Sequence, residues 1–163
     1  MKKMLATFLI ATLAAAGASA DGKTSQTFLD SARPWIGSTR GEFVRAYTEA
    51  GFRCIPVGRI GVTCHSDLTM IAGYSFGAFF GPRGRVVMVS RNQYKGRAAA
   101  NECDADKLYL DSIYGFGRDT RLHTQHGSGV TTEYTLRGNR SISFARFDDG
   151  GCNVAILVSS MAR

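Results

Sequence analysis

The chain has 163 residues, of which 44% are hydrophobic, and its 20 Lys and Arg against 13 Asp and Glu give a formal net charge of +7. That length suits a short leader followed by one ordinary domain, rather than a multidomain protein. No stretch beyond the first 20 residues is long enough to span a bilayer, and the scattered charges form no polybasic arm, which argues against integral membrane and nucleic-acid-binding proteins.

The N-terminus has the pattern of a cleavable secretory signal peptide. Two lysines precede an almost entirely apolar run over Met4–Ala16, and Ala18-Ser19-Ala20 matches the small-x-small cleavage pattern. An uncleaved anchor would need about 20 consecutive apolar residues, and this run is shorter. No cysteine follows the cleavage pattern, which argues against a lipoprotein. We therefore predict a signal peptide over residues 1–20 and one exported domain over residues 21–163, periplasmic or secreted in a bacterium.

Export changes the charge balance. Without Lys2 and Lys3 the mature chain carries 18 basic and 13 acidic residues, a net charge of +5, and 15 of the 18 cations are arginine. A cationic surface attracts nucleic acid, anionic lipid or an acidic protein. Because an exported protein seldom meets nucleic acid, we predict no nucleic-acid partner. We interpret the charge first as an ordinary solvated cationic surface, which slightly favours an acidic protein as a partner. The oligomeric state is left open.

The first predicted elements are a helix and a set of short strands. Thr39 and Glu42 have the spacing of a capping box, and Gly51 supplies the stop. The residues that share one face of this helix are Phe43, Ala46, Tyr47 and Ala50. The strands expected after it are Arg53–Val57, Val62–Ser66, Gly73–Phe80 and Arg85–Ser90.

A second helix and a second set of strands follow. Asp104 or Asp106 is placed to cap the helix, and Gly115 ends it. The apolar residues at helical spacing are Leu110, Ile113 and Tyr114. The strands expected after this helix are Arg118–Thr124, Val130–Leu136, Ser141–Phe147 and Asn153–Ser159.

The two sets of strands resemble each other. A shift of 68 residues lays residues 61–90 on residues 129–158 without a gap and gives eight identities in 30 positions. We therefore predict a duplication, with halves of about 25–92 and 97–160. The identical pairs are Gly61/Gly129, Val62/Val130, Thr63/Thr131, Leu68/Leu136, Ser75/Ser143, Phe76/Phe144, Phe79/Phe147 and Val86/Val154.

Alternation within the strands predicts which side of the sheet is buried. Val130, Thr132 and Tyr134 share one side of their strand, whereas Ser141 and Ser143 share the polar side of the next. One side of the sheet is therefore expected to be apolar and covered by helices, and the other polar and open for docking. The predicted fold is α+β, with two tandem helix-plus-antiparallel-strand repeats forming one sheet, helices on one face, stapled by disulfides.

The four cysteines favour two disulfides over free thiols, since their number is even and the predicted compartment is oxidising. Four cysteines allow three pairings. Cys54 and Cys64 flank two glycines and can face each other across a hairpin, an arrangement that leaves Cys103 with Cys152. No Cys-x-x-Cys motif is present, so a redox or metal role is disfavoured.

A family resemblance rests on three features: Ile36-Gly37-Ser38-Thr39-Arg40, a preceding segment that contains Phe28, and the Cys54–Cys64 hairpin. Together they resemble the β-lactamase inhibitor protein and related small envelope proteins, among them an outer-membrane-assembly lipoprotein. In that family Gly-x-Thr-Arg opens a helix, a cysteine after the helix pairs across a hairpin, and two such units form one sheet whose concave face grips another protein.

The resemblance covers most of residues 25–160 in architecture and departs from the family in the second half. No Gly-x-Thr-Arg stands before Lys107, and the second disulfide would have to link Cys103 to Cys152. The resemblance therefore implies a fold and a protein-binding face, and no inhibitor contact residue is carried over.

The motifs indicate no catalytic, metal or cofactor site. His123 and His126 lie three residues apart without a third ligand nearby, whereas zinc takes at least three protein ligands. Asp148-Asp149 precedes two glycines and is typical of a turn. The chain has no Gly-x-Ser-x-Gly elbow and no phosphate-cradling glycine loop. We predict no catalytic residue, no metal and no cofactor.

The candidate binding residues lie around one turn. Phe79 occupies the opposite strand face from Phe76, and Phe80 begins the turn. If Phe79 or Phe80 is exposed beside Arg83 and Arg85, the set has the aromatic and arginine composition of a binding hot spot.

These features predict an exported, non-enzymatic module that binds another envelope or extracellular protein, as an inhibitor, an immunity-type protector or an envelope accessory. One alternative is a small hydrolase that uses His123 or His126 with Asp119 or Glu133, which requires those side chains to converge in a cleft. The other is a glycan-binding or small-ligand-binding envelope protein, which requires a deep pocket lined by aromatic side chains.

Overall fold

The computed structural model describes residues 23–71, 73–93, 97–124 and 127–158. The predicted signal peptide and His126 lie outside these ranges. The helices are α1 (Lys23–Ala32), α2 (Arg40–Glu49), α3 (Asp67–Ile71) and α4 (Arg97–Tyr114), with a 3₁₀ turn at Arg33–Trp35. The strands are β1 (Arg53–Val57), β2 (Gly61–His65), β3 (Tyr74–Phe80), β4 (Val86–Gln93), β5 (Arg118–Thr124), β6 (Gly127–Leu136), β7 (Arg140–Phe147) and β8 (Cys152–Val158).

All eight strands form one antiparallel sheet in the order β1-β2-β3-β4-β8-β7-β6-β5. Consecutive hairpins build each group of four strands, and the pairing of β4 with β8 joins the two groups. The predicted α+β fold and all eight predicted strands are confirmed. Alternation and turn glycines set these strands, and both signals are local to each hairpin.

The helices cover one face of this sheet, which we call the covered face. Its core is aromatic: Phe28 of α1 stacks on Phe76 of β3 with ring centroids 6.1 Å apart, and Phe43 stacks on Tyr47 within α2 at 4.5 Å. Tyr47 also meets Phe76 at 5.8 Å. Burial of these side chains is the main force that holds α1 and α2 on the sheet.

The predicted capping box at the start of α2 is confirmed. The backbone N–H of Thr39 donates to Glu42 Oε2 at 2.9 Å, and the N–H of Glu42 donates to Thr39 Oγ1 at 3.3 Å. Phe43 and Tyr47 are buried as expected, and Gly51 takes a left-handed φ of 85° after the helix, where a side chain would be strained.

The predicted start of the second helix is wrong. The helix α4 begins at Arg97, so Asp104 and Asp106 lie inside it rather than at its cap. Both carboxylates instead face arginines of the sheet: Asp104 pairs with Arg146, and Asp106 forms a buried ion pair with Arg91. Ile113, expected on the buried side of this helix, is half exposed.

Both disulfides join the cysteines in the pairing suggested by the hairpin. Cys54 and Cys64 are directly opposite on β1 and β2, and Cys103 of α4 is bonded to Cys152 of β8. The second bond fixes α4 against the centre of the sheet.

The strand order is symmetrical about the β4–β8 pair, but the two halves differ in their helices. The first half contains α1, α2 and α3, whereas the described part of the second half contains α4 alone. Leu68 lies in α3 and its sequence match Leu136 ends β6, so this pair is not equivalent in structure. The duplication stays a prediction.

Candidate binding face

The side of the sheet opposite the helices carries small and polar residues, and we call it the open face. The helices α1, α2 and α4 all pack on the covered face, through the aromatic core, the Arg91–Asp106 ion pair and the Cys103–Cys152 bond. The cross-strand register places the residues of the open face in rows, of which the central one runs across all eight strands. That row consists of Ile55, Thr63, Gly77, Ser90, Ala155, Ser143, Glu133 and Arg118.

A hollow of about 310 Å³ lies in the open face over β1 to β4 and β8. Its lining residues are Val57, Val62, Thr63, Gly77, Phe79, Met88, Ser90, Asn92 and Asn153. Gly77 is one of these lining residues and is closely packed, because a Cβ built at that position would lie 2.8 Å from Ser90 Oγ and 3.6 Å from Asn92 Nδ2. A side chain at position 77 would therefore have to displace the Ser90 hydroxyl.

An amide pair borders the hollow on its polar side. Asn92 and Asn153 are directly opposite on β4 and β8, and Asn153 Nδ2 donates a hydrogen bond to Asn92 Oδ1. In this arrangement the NH₂ group of Asn92 remains a donor and the carbonyl oxygen of Asn153 remains an acceptor. The pair thus offers one donor and one acceptor side by side.

Apolar side chains border the other side. Phe79 and Met88 are cross-strand partners on β3 and β4, and Val57 of β1 completes this border. Ile55, in the central row, extends it towards the sheet edge and is 47% exposed. Exposed apolar side chains grouped around a hollow are typical of an interaction site.

The structure separates the predicted binding residues. Phe79 lies on the open face, whereas Phe80 lies on the covered face, only 5% exposed, with the guanidinium of Arg40 5.3 Å from its ring centroid. Arg85 donates to the carbonyl oxygen of Gly37 at 2.8 Å and so helps to anchor the segment before α2. Arg83 is exposed in the β3–β4 turn. Phe79 is therefore the member of the set that lines the hollow, and Arg83 lies in the turn after its strand.

Comparisons with known proteins show a structure with a similar fold but identify no family for this chain. No protein-family model matches the chain, and no curated protein matches it. Its structure is similar to the crystal structure of YjgB, a DUF4309 family protein from Bacillus subtilis subsp. subtilis str. 168, with a TM-score of 0.59, 12% identity, and coverage of 85% of this chain and 98% of that one. A cysteine-rich secretory protein (SAV1118) from Staphylococcus aureus subsp. aureus Mu50 gives a TM-score of 0.41 at 10% identity over 78% of this chain and 46% of that one. The YjgB similarity shows a shared fold alone.

The residues of the hydrolase alternative do not converge where the structure describes them. His123 and Asp119 lie four residues apart on the extended strand β5, which separates them by about 13 Å. Asp119 accepts a hydrogen bond from Thr132 Oγ1 at 2.6 Å, and Glu133 points to the opposite face of the sheet. Among the described residues, no three His, Cys, Asp or Glu side chains are placed to hold a metal ion.

A charged cluster lies on the covered face, where α4 crosses β6. Lys107 Nζ donates to both carboxylate oxygens of Asp111, at 2.9 and 2.8 Å, and Tyr134 OH donates to Asp111 Oδ1 at 2.8 Å. Burial acts to raise the pKa of Asp111, but the hydrogen bonds from Lys107 and Tyr134 and the charge of Lys107 outweigh it and hold that pKa below its usual value. Burial, followed by the hydrogen bond and charge of Asp111, raises the pKa of Tyr134. This cluster fixes α4 to the sheet.

The sequence interpretation missed Gly77, Met88, Asn92 and Asn153 as site residues. Ser75, Gly77 and Phe79 alternate along β3 with Tyr74, Phe76, Ala78 and Phe80, so the sequence carried a signal that these three share a face. No comparable signal brought Asn92 to Asn153, because 61 residues separate them and only the β4–β8 pairing makes them neighbours.

Proposed function

We propose that the mature chain is an exported, non-enzymatic binding module that engages another envelope or extracellular protein through its open face. The observation that carries the proposal is that α1, α2 and α4 pack on only one of the two faces of the sheet. Helices bury one face, while the other contains a hollow bordered by Val57, Phe79 and Met88.

The dimensions of the open face favour a protein partner. Eight strands at the usual spacing extend about 34 Å across the sheet and about 20 Å along the strands, an area of roughly 700 Å². A standard protein–protein interface buries about 800 Å² on each partner. The face is therefore close to the size of one side of a standard interface, so a protein partner would cover most of it.

Export is supported by the N-terminal sequence and by the cysteines. Residues 1–20 have the features of a signal peptide. Both disulfides are formed in the structure, and disulfides persist in oxidising compartments. Over the described ranges, no helix has the length and apolar character needed to cross a membrane.

We further propose that the two halves arose by duplication, as in the β-lactamase inhibitor protein that the sequence resembles. Seven of the eight identical pairs from the 68-residue shift lie in strands, and both members of each pair occupy the same face of the sheet. Phe76 and Phe144 both point to the covered face, and Phe79 and Phe147 both point to the open face. This agreement of faces supports a common origin.

An affinity experiment tests the proposed function. The full chain is expressed with its own leader, purified in oxidised form, immobilised and exposed to an envelope extract of the source organism. Ser143→Arg places a large side chain in the central row of the open face, and Thr48→Arg places the same side chain on the exposed surface of α2. We expect one stoichiometric partner that is retained by the unchanged protein and by Thr48→Arg, and lost with Ser143→Arg. Equal retention by both variants would refute binding through the open face.

Glycan binding is the second candidate, because Phe79 and the amide pair of Asn92 and Asn153 line opposite sides of the same hollow. An aromatic ring on one side of a hollow and amide groups on the other suit a sugar ring and its hydroxyls. The volume of about 310 Å³ is at the lower end of the range for ligand sites, roughly 300–1,000 Å³. Titration calorimetry with soluble envelope glycan fragments distinguishes the candidates, since a glycan-binding module releases measurable heat that Phe79→Ala abolishes.

A further inference from the structure

We propose that the hollow receives an apolar side chain from a loop of the partner protein, and that carboxylates flanking this side chain pair with Arg59 and Arg83. The inference rests on the proposed function and adds the chemistry of the partner. It follows from the shape of the hollow, from its polar border and from the charges around it.

The hollow has room for an inserted side chain. The apolar border of Val57, Phe79 and Met88 faces the space above Gly77, where the chain itself supplies no side chain. A volume of 310 Å³ corresponds to that of about ten water molecules in the liquid. An aliphatic or aromatic anchor that displaces this water gains the burial energy typical of interface hot spots.

The amide pair fits the backbone that carries such an anchor. Asn92 presents a donor and Asn153 an acceptor on adjacent strands. A peptide group has one N–H and one C=O, so the partner's backbone beside the anchor can satisfy both amides.

The charges around the hollow are positive. Arg59 lies in the β1–β2 turn and Arg83 in the β3–β4 turn, both exposed, and two strand spacings separate these turns by about 10 Å. A third arginine, Arg53, faces the open side at the other end of β1. Neither turn contains an acidic residue.

The acid nearest to the hollow among the described open-face strand residues is Glu133. It lies three strands from Ser90, about 14 Å away, and stands directly opposite Arg118. Carboxylates are therefore the groups that this rim attracts, and arginine binds them through paired N–H donors. A flat anionic membrane could meet the arginines but could not place a group on Gly77, so a protein loop fits both features.

The test uses a defined peptide probe. The ¹⁵N-labelled oxidised protein, obtained from the full chain, is titrated with a disulfide-cyclised peptide that presents leucine between two glutamates. Two control peptides replace the glutamates with glutamine or the leucine with serine. We expect saturable shifts of the Gly77, Ser90 and Asn92 amide signals with the first peptide, and binding weaker by roughly tenfold or more with either control.

Variants of the protein separate the two parts of the inference. Arg59→Glu with Arg83→Glu removes the proposed carboxylate partners, and Arg45→Glu with Arg121→Glu makes the same change in net charge away from the hollow, at two other exposed positions. Gly77→Val places a side chain in the lining of the hollow; its φ is not in the left-handed region, and the Ser90 hydroxyl must rotate away from the new Cβ. The far-ultraviolet circular dichroism spectrum and melting temperature of this variant are compared with those of the unchanged protein before its binding is measured. We expect roughly tenfold weaker peptide binding with the first pair and with Gly77→Val, and no more than a twofold change with the control pair.

Three outcomes overturn the inference. The first is equal binding of the glutamate and glutamine peptides, and the second is equal weakening by the two arginine pairs. The third is binding of the protein to vesicles that contain phosphatidylglycerol and phosphatidylcholine in equal parts, if that binding is lost with Arg59→Glu and Arg83→Glu but unchanged in Gly77→Val. This result would mean that the arginines bind a membrane. The proposed function is decided separately, by the affinity experiment. If a partner protein is retained by the unchanged protein and not by Ser143→Arg, the open face binds a protein even where the inference about the hollow is wrong.

Discussion

At the scale of single residues, the covered face combines an aromatic core with a few charged groups held at its margin. Phe76 has ring neighbours on all sides, with Phe28, Tyr47, Phe52 and Tyr74 at centroid distances between 5.6 and 6.1 Å. These neighbours come from α1, α2, the loop before β1, and β3 itself. Phe76 therefore links the first two helices to the sheet.

Truncation of Phe76 tests this role. We expect Phe76→Ala to lower the free energy of unfolding by about 3–5 kcal/mol, because the surrounding rings cannot collapse into the space left behind. Urea denaturation followed by far-ultraviolet circular dichroism measures the change. Phe116→Ala is the matched control: Phe116 is 97% exposed, and its loss should change the stability by less than about 0.5 kcal/mol. Equal effects of the two substitutions would contradict the core described here.

The pH dependence of stability tests the cluster around Asp111. Its pKa is lower in the folded protein than in the unfolded chain, so ionised Asp111 stabilises the fold above its unfolded pKa of about 4, and this stabilisation is lost as the pH falls through the folded pKa. We expect Asp111→Asn to cost about 1–2 kcal/mol at pH 7 and to flatten the loss of stability below pH 4. Melting temperatures measured from pH 7 down to pH 2.5 check this. A variant with the same acid sensitivity as the unchanged protein would exclude Asp111 as a contributor.

At the scale of elements, α2 shows how a local signal decides a helix. The Thr39–Glu42 capping box is complete, and the residue before it is tied to the sheet, since the Val86 N–H donates to the Ser38 carbonyl oxygen at 2.8 Å. The cap therefore fixes both where α2 begins and how it meets β4.

Removal of the cap has a predictable cost. We expect Thr39→Ala to lower the free energy of unfolding by about 1 kcal/mol, within the usual range of 0.5–2 kcal/mol for an N-cap threonine. Thr48→Ala, in the last turn of the same helix, removes only a bond from its hydroxyl to the Val44 carbonyl oxygen and should cost less. Chemical denaturation of both variants provides the measurement, and an equal or larger cost at Thr48 would contradict the capping role.

The helices and strands also show which structural features could be predicted from the sequence and which could not. Strand positions, both faces of β6 and β7, the α2 cap and both disulfide pairings followed from periodicity, turn residues and cysteine spacing, all of which act over short segments. The start of α4 was missed because the carboxylates of Asp104 and Asp106 served long-range ion pairs that no local pattern reveals. The amide pair at the hollow was missed for the same reason, since its geometry depends on the β4–β8 pairing.

At the scale of the whole molecule, the two disulfides close loops of very different length. Cys54–Cys64 closes a loop of 10 residues within one hairpin, whereas Cys103–Cys152 closes 49 residues and ties α4 to the centre of the sheet. In the chain-entropy account, a longer closed loop removes more freedom from the unfolded chain.

Serine replacement of each pair tests this difference. We expect loss of Cys103–Cys152 to cost about 4 kcal/mol and loss of Cys54–Cys64 to cost about 3 kcal/mol. Thermal unfolding of the two double-serine variants checks the order. A larger cost for the hairpin disulfide would contradict the assignment of Cys103–Cys152 as the main staple of the fold.

The central claim is that this fold holds one sheet face free for a protein partner, and photo-crosslinking in the source organism tests it most directly. A photoreactive amino acid replaces either Met88, beside the hollow, or Leu108, which is 71% exposed on α4. We predict that irradiation yields one discrete protein adduct from position 88 and none from position 108. An adduct from position 108 alone, or none from position 88, would contradict the claim that the open face binds a protein.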